Sequence, residues 1–531
     1  MRRLFIVFLT ALFLLVDGSL TFAMGKILFV PLDSRPITND ETALVAKELG
    51  YDVLTPPVEF LGAESRSGEP EKLWAWLEKN APGSDALVIS SDSMLYGSLV
   101  DSRKHTLTEN EVQNRILRFQ KLRQNYPDVK IYVYGTILRT LLSMNHSGAG
   151  MEPATYQANA VKIYRYSALL DKSEMGQASG RENRELKKLE TDIDKNVMQD
   201  WQNRHSINFN ANKTLLDLTK EGVFSFCLLG GDDSARLSAT HREARLLEDY
   251  AARKDVWRTK FQVLSGADEL GMMMLSRAVL DIKNEIPFVH IIYNDGVGKN
   301  TIPAYCFESL ENEMKGAILA CGAMEVPDPA RADTVLLINT FLSGKTFPAN
   351  DLKKNKAEKK PNASTEAFMR KLRDSIQKGY PVAVGDISFS NGSDNDLMEV
   401  MRRENLQYKI KAYGGWNTAT NTLGFLMGEM FLVNSVPEKA RNELMTRRYL
   451  DEWAYQSNVR QELLGVLSTL PGKTDASGFI TGEKKQAAED YLTKKMREFA
   501  KERIKLPIGI SLDKLKVTLP WKRAFECKIE F

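Results

Sequence analysis

Ten short, nearly continuous apolar runs, each followed by acids, hydroxyls or glycines, constrain this chain more than any other feature. They are Lys26–Pro31, Asp52–Leu54, Ala86–Ser90, Lys130–Tyr134, Phe224–Leu229, Phe261–Leu264, Phe288–Ile292, Thr334–Ile338, Pro381–Val384 and Ile410–Tyr413. A strand that is apolar throughout is buried on both faces. Between the runs lie longer segments with apolar residues at helical spacing, such as Asn110–Gln124 and Arg181–Gln202. Buried strands alternating with helices predict an α/β fold built on a mostly parallel sheet.

The chain has 531 residues, and ~150 residues per domain suggests two to four domains. Two architectures satisfy the strand pattern. One is a (β/α)-barrel-like N-terminal domain over residues 24–285, then a second α/β unit over 286–434 and a helical C-terminal region over 435–531. The other is two doubly wound α/β domains in tandem. Seven runs precede Asp295, and a barrel needs eight strands, so the barrel requires one more. From Ser435 onward strand signals fade, and Arg441–Val466 and Lys484–Ile504 read as helices. Leu515–Phe531 forms a strand or wraps the body. Lys345–Thr365, lysine-rich with two prolines, and Gly148–Pro153 read as surface loops.

Arg2 and Arg3 precede the apolar run Leu4–Val16, and small residues follow up to Ala23. That order describes a secretory signal peptide over residues 1–23, too short in its apolar part to span a bilayer. The protein is therefore expected to be exported, periplasmic or extracellular, with no stable membrane span after cleavage. Lys and Arg total 72 against 69 Asp and Glu. So even a balance excludes a dedicated nucleic-acid binder. The four cysteines and five histidines show no zinc spacing. Cys306 and Cys321 are candidates for a disulfide in an oxidising compartment.

In parallel α/β folds the chemistry sits at the carboxyl ends of the strands. There the sequence places Asp33 and Arg35, Asp92 and Tyr96, Arg139 with Asn145 and His146, Asp232-Asp233, Asp268-Glu269, Asp386, and Trp416-Asn417. A single Asp before a helix is readily a cap. Two acids in one turn exceed what a cap needs, and their repulsion separates their pKa values, as acid and base roles require. Asp232, Asp233, Asp268 and Glu269 are therefore the expected catalytic residues. Asp33, Arg35, Asp92, Tyr96, Arg139, Asp386, Trp416 and Asn417 are expected to bind substrate, with Trp416 and Asn417 offering a ring face and an amide. An ion pair between Asp33 and Arg35 is the structural alternative at the first strand.

PLDSRP, SSDSMLYGSLVDSR, GGDDS, GADELG and AYGGWNTATNTLG, in that order, resemble the motifs of a bacterial family of unknown function, domain of unknown function 4127. The resemblance spans about residues 25–460. Ser98 stands where a second glycine is expected, and Gly231 where a polar residue often precedes the double Asp; neither departure touches an acid. The resemblance implies no activity.

Function must come from the residues. A carboxyl pair with aromatic and amide groups, and no cofactor or metal, is what glycosidic hydrolysis needs. The leading expectation is an exported glycoside hydrolase acting on a saccharide, including N-acetylated sugars, with Asp233 as general acid and Asp232 as its orienting partner. The alternatives are a metal-dependent phosphoester hydrolase, using Asp33, Asp92, Asp232 and Asp268 around Mg²⁺, Mn²⁺ or Ca²⁺, and a non-catalytic saccharide-binding envelope protein. In all three, Asp33, Asp92, Asp232, Asp233 and Asp268 are expected to share one cleft with Trp416 and Asn417.

Overall fold

In the computed structural model, residues 24–140 apart from 64, 151–475 and 478–531 are described. The leader 1–23 and the loop residues Asn145 and His146 lie outside the described residues. All ten apolar runs are strands. Six make one sheet: β1 (Lys26–Val30), β2 (Asp52–Leu54), β3 (Ala86–Ser90), β4 (Lys130–Ile137), β5 (Phe226–Gly231) and β6 (Phe261–Ser265), in the order β2-β1-β3-β4-β5-β6. Every pairing is parallel.

A second, five-stranded sheet contains β7 (Phe288–Tyr293), β8 (Met324–Glu325), β9 (Thr334–Asn339), β11 (Val382–Asp386) and β13 (Ala412–Gly414), in the order β13-β11-β9-β7-β8. It too is parallel throughout. A short ladder of β10 (Phe347–Pro348) and β12 (Phe389–Ser390) stands apart from it. Both large sheets are open, with β2 and β6 as the edges of the first. The tandem doubly wound arrangement is therefore formed, and neither sheet closes into a barrel among the described residues. A strand's own sequence records burial and leaves sheet closure to the partners at its edges, so pattern left both architectures possible.

Side-chain alternation explains how the sheets are covered. Ile27, Phe29, Ala86, Val88, Tyr132, Tyr134, Phe226 and Leu228 point into one apolar core, while Leu28, Val30, Leu87, Ile89, Ile131, Val133, Cys227 and Leu229 point into another. The first core is shared by both sheets. It is filled by the helices Leu270–Lys283 and Ala419–Val433, which pack on each other. Nearly every side chain of both helices is buried, as expected of helices that are apolar on all sides. The outer core of the first sheet takes Pro70–Asn80, Glu109–Asn125, Lys195–Lys220 and Ala239–Arg253.

The helical segment read as Arg181–Gln202 is two helices, Gly180–Asp192 and Lys195–Lys220. Asp194 interrupts them, accepting hydrogen bonds from the backbone N–H groups of Asn196 and Val197. Beyond the second sheet the chain is helical, with eleven residues, Tyr449–Val459, in π-helical geometry. It ends in an antiparallel hairpin, β14 (Lys516–Thr518) and β15 (Lys528–Glu530). No helix of the described residues is long and apolar enough to cross a membrane. The four cysteines are free and buried. Cys306 and Cys321 are thus unbridged, and the Cys306 Sγ faces the Thr420 hydroxyl at 3.8 Å.

Candidate active site

In the first sheet the strand order reverses between β1 and β3, and such a switch point opens a crevice at the strand carboxyl ends. Asp33 follows β1 and Asp92 follows β3 on either side of it. Arg35 links the exit of β1 to the exit of β6. Its Nε donates to both Asp33 oxygens at 3.0 Å, its Nη2 to Asp33 Oδ2 at 2.7 Å and Asp268 Oδ1 at 2.5 Å, and its Nη1 to Asp268 Oδ2 at 3.0 Å. Asn417, arriving from the second sheet after β13, donates to Asp268 Oδ2 at 3.2 Å. Asp33, Arg35, Asp268 and Asn417 thus form one buried network between the sheets. The Asp33–Arg35 ion pair exists and extends to a third residue, so the Arg35 fork is occupied by protein acids.

Asp232 and Asp233 leave β5 in opposite environments. Asp232 is buried and accepts from Arg103 Nε at 2.9 Å, with Nη2 at 2.7 Å. Burial raises its pKa against the opposing pull of Arg103 and Arg139, and Asp233 adds to the rise. The Asp233 side chain is 33% exposed and pairs with Arg139 Nη1. Its φ of 37° lies in the left-handed region, a conformation that costs a non-glycine residue energy and recurs at functional sites. Gly230, two residues before Asp232, has no room for a side chain: a Cβ there would meet the Gly266 carbonyl oxygen at 2.2 Å. The ends of β5 and β6 can approach only because it is glycine.

The two groups of acids sense one another. Asp233 adds to the raised pKa of Asp268, after burial as the main cause and with Arg35 opposing. Asp232 likewise acts on Asp92. Asp92 is buried and accepts from Thr136 N at 2.8 Å and Thr136 Oγ1 at 2.9 Å. Burial outweighs these bonds and pushes its pKa up to about 7. Among the described residues, no three His, Cys, Asp or Glu side chains are grouped as a metal site needs; Asp33, Asp92, Asp232 and Asp268 take arginine or hydroxyl partners instead.

Four expected site residues lie elsewhere or face another way. Glu269 is turned into the helix contact between the sheets: a Cβ on Gly424 would meet its Cγ at 2.4 Å. Burial holds its carboxyl well above the usual range, with Oε2 unpartnered. Glu269 directly precedes the helix Leu270–Lys283, one residue after Asp268. Trp416 is 5% exposed and belongs to the apolar core between the sheets, so it offers no ring face. Tyr96 is buried and stacks on His105 with ring centroids 4.7 Å apart. Asp386 joins a cluster at the ends of the second sheet, accepting from Asn339 at 3.0 Å, Asp394 N at 2.7 Å and Tyr413 at 2.9 Å.

Several residues of the site come from segments with no strand-end signal. Arg103 lies in the last turn of the short helix Leu99–Lys104. Glu152 accepts from Arg139 Nε at 2.8 Å. His205 Nδ1 and Glu243 Oε1 lie 2.6 Å apart, joining two helices. Trp521, near the C-terminus, donates to Ser34 Oγ at 3.0 Å and lies 5.4 Å from the Arg35 guanidinium. The last residues of the chain therefore close over the exit of β1.

Two open parallel sheets, with carboxylates and arginines interlocked at the strand ends of the first, define a tandem doubly wound α/β protein with a charged site at the strand carboxyl ends. The chain belongs to the family described as "Protein of unknown function (DUF4127)", which it matches over residues 27–530. No curated protein matches it.

Proposed function

We propose that this protein is an exported glycoside hydrolase whose carboxyl pair is Asp232 and Asp233. The observation that carries the reading is the split environment of these two neighbours. One is buried with its pKa raised; the other is partly exposed, set in a strained backbone and paired with Arg139. Glycosidic cleavage needs one carboxyl that keeps a proton and one that carries charge beside the sugar ring. These environments support exchanging the roles expected from sequence order. Asp232 is the proton donor, and Asp233 stabilises the developing positive charge or orients an acetamide. Arg103 and Arg139 position the pair, and Asp92, with its pKa pushed up to about 7 in part by Asp232, is a further proton-holding group.

The test is turnover on a panel of aryl and natural glycosides by the mature chain and two variants. Asp232→Asn and Asp233→Asn should each lower the rate ~10²–10⁴-fold, the usual worth of positioned acid–base groups. Circular dichroism should show both variants folded. Full activity in both variants would remove the pair from the mechanism. No cleavage of any glycoside by wild type would favour a binding protein.

A further inference from the structure

The segment between β7 and the helix Leu310–Cys321 reaches from the second sheet to the exit of β5 in the first. There the buried Ser234 donates its hydroxyl to the Tyr305 carbonyl at 2.9 Å. Asp233, next to Ser234, and Tyr305 itself both hold left-handed backbone, with φ of 37° and 67°. Glycine and asparagine tolerate that region, and a bulky side chain pays most for it. Seven non-glycine residues have positive φ among the described residues, and Tyr305 is the one aromatic. The turn itself does not call for a tyrosine.

Little packing offsets the strain. Tyr305 is 46% exposed. Among the described residues its hydroxyl has no hydrogen-bond partner, and no ring stacks on it. Backbone strain held in place by its surroundings, without packing in return, accompanies ligand contact at functional sites. Of Asp33, Asp92, Asp232, Asp233 and Asp268, Asp233 alone is not buried. A substrate reaching the carboxyl pair therefore arrives on the Asp233 side. The charge of Asp233 also reaches the Tyr305 phenol, raising its pKa after burial as the main cause. An exposed ring and a partly exposed carboxylate thus lie together at the open edge of the β5 exit.

We propose that Tyr305 is the face on which a sugar ring of the substrate lies while its glycosidic bond meets Asp232 and Asp233. The negative face of an aromatic ring attracts the C–H bonds that line one side of a pyranose. The platform therefore selects for a closed ring: a pyranoside binds, and an open-chain polyol does not. This rests on the hydrolase reading above. It gives the site the aromatic group that Trp416, buried in the shared core, does not supply.

The experiment is calorimetric binding of cellotetraose, chitotetraose, maltotetraose and sorbitol to the mature chain, with release of reducing ends from the three saccharides measured alongside. At least one saccharide should bind, and sorbitol should not. Tyr305→Phe keeps the ring and should bind that saccharide as wild type does. Tyr305→Asn removes the ring and suits the left-handed turn. It should unfold at the wild-type temperature or above, yet bind ~10-fold more weakly, the scale of one aromatic contact. A less stable Asn variant would mean that Tyr305 serves the fold, and would overturn the proposal. So would saccharide binding unchanged in that variant, an equal loss in Tyr305→Phe, sorbitol binding as tightly as the saccharides, or no saccharide bound by wild type. Binding that depends on Tyr305 but leads to no cleavage would keep the platform and end the hydrolase reading. Cleavage that Tyr305→Asn leaves untouched would do the reverse.

Discussion

Asp92 shows how strongly burial alone can set the chemistry of one residue here. Thr136 gives it two hydrogen bonds that favour the carboxylate, and its pKa still rises to about 7 because water is excluded. Between pH ~4 and 7 the folded protein keeps a proton on Asp92 that the unfolded chain has released. The resulting stability is complete below the unfolded pKa and is lost as pH rises through about 7. Asp92→Asn removes this dependence while keeping an oxygen for Thr136. Thermal unfolding at pH 5 and pH 8 should show the variant gaining on wild type by on the order of a few kcal/mol as pH rises. Parallel pH dependences in the two proteins would mean that Asp92 is ionised in the folded state. The position of Asp92 was legible in the sequence because strand exits carry chemistry in parallel folds. Its protonation was not, because Thr136, Ser102 and Asp232 come from distant segments.

Among elements, the paired helices Leu270–Lys283 and Ala419–Val433 decide how closely the two sheets sit. Gly428 lies where they cross, and a Cβ there would meet the Met272 carbonyl oxygen and Cγ at 2.9 Å. The backbone oxygen cannot move aside without shifting its helix. Alanine's better helix propensity, about 1 kcal/mol, is therefore outweighed by overpacking of about 1–3 kcal/mol. Gly428→Ala should lower stability, whereas Gly465→Ala, with nothing within 4 Å of its Cβ in the helix Arg460–Val466, should raise it. Chemical denaturation of both variants checks the contrast. Equal shifts would mean the helix contact yields freely. The ten strands were readable from sequence because burial on both faces leaves an unbroken apolar run. The break at Asp194 and the π-helical Tyr449–Val459 were not, since each depends on a local backbone choice within a periodic pattern.

At the scale of the whole molecule, the site is a product of the two sheets and the C-terminus together. Asp33, Arg35 and Asp268 belong to the first sheet, Asn417 follows the last strand of the second, and Trp521 reaches back from near residue 531. The acids could be picked out one strand at a time. Arg103 closes the motif SSDSMLYGSLVDSR but no strand-end rule singles it out; Glu152 and the His205–Glu243 pair carry no sequence signal, because they lie on helices or in loops where no positional rule marks function. Trp416 was misread for the opposite reason: its glycine-rich surroundings look like an exposed loop, but the second sheet packs that loop into the shared core. If Asp232 gives its proton to a leaving oxygen, leaving-group dependence measures that step directly. Wild type and Asp232→Asn should be compared on one sugar bearing alkyl and dinitrophenyl leaving groups. The variant should lose ~10²–10⁴-fold on the alkyl glycoside, which needs protonation. It should recover most of wild-type activity on the dinitrophenyl glycoside, which leaves unaided. An equal loss on both substrates would contradict the assignment of Asp232 as proton donor.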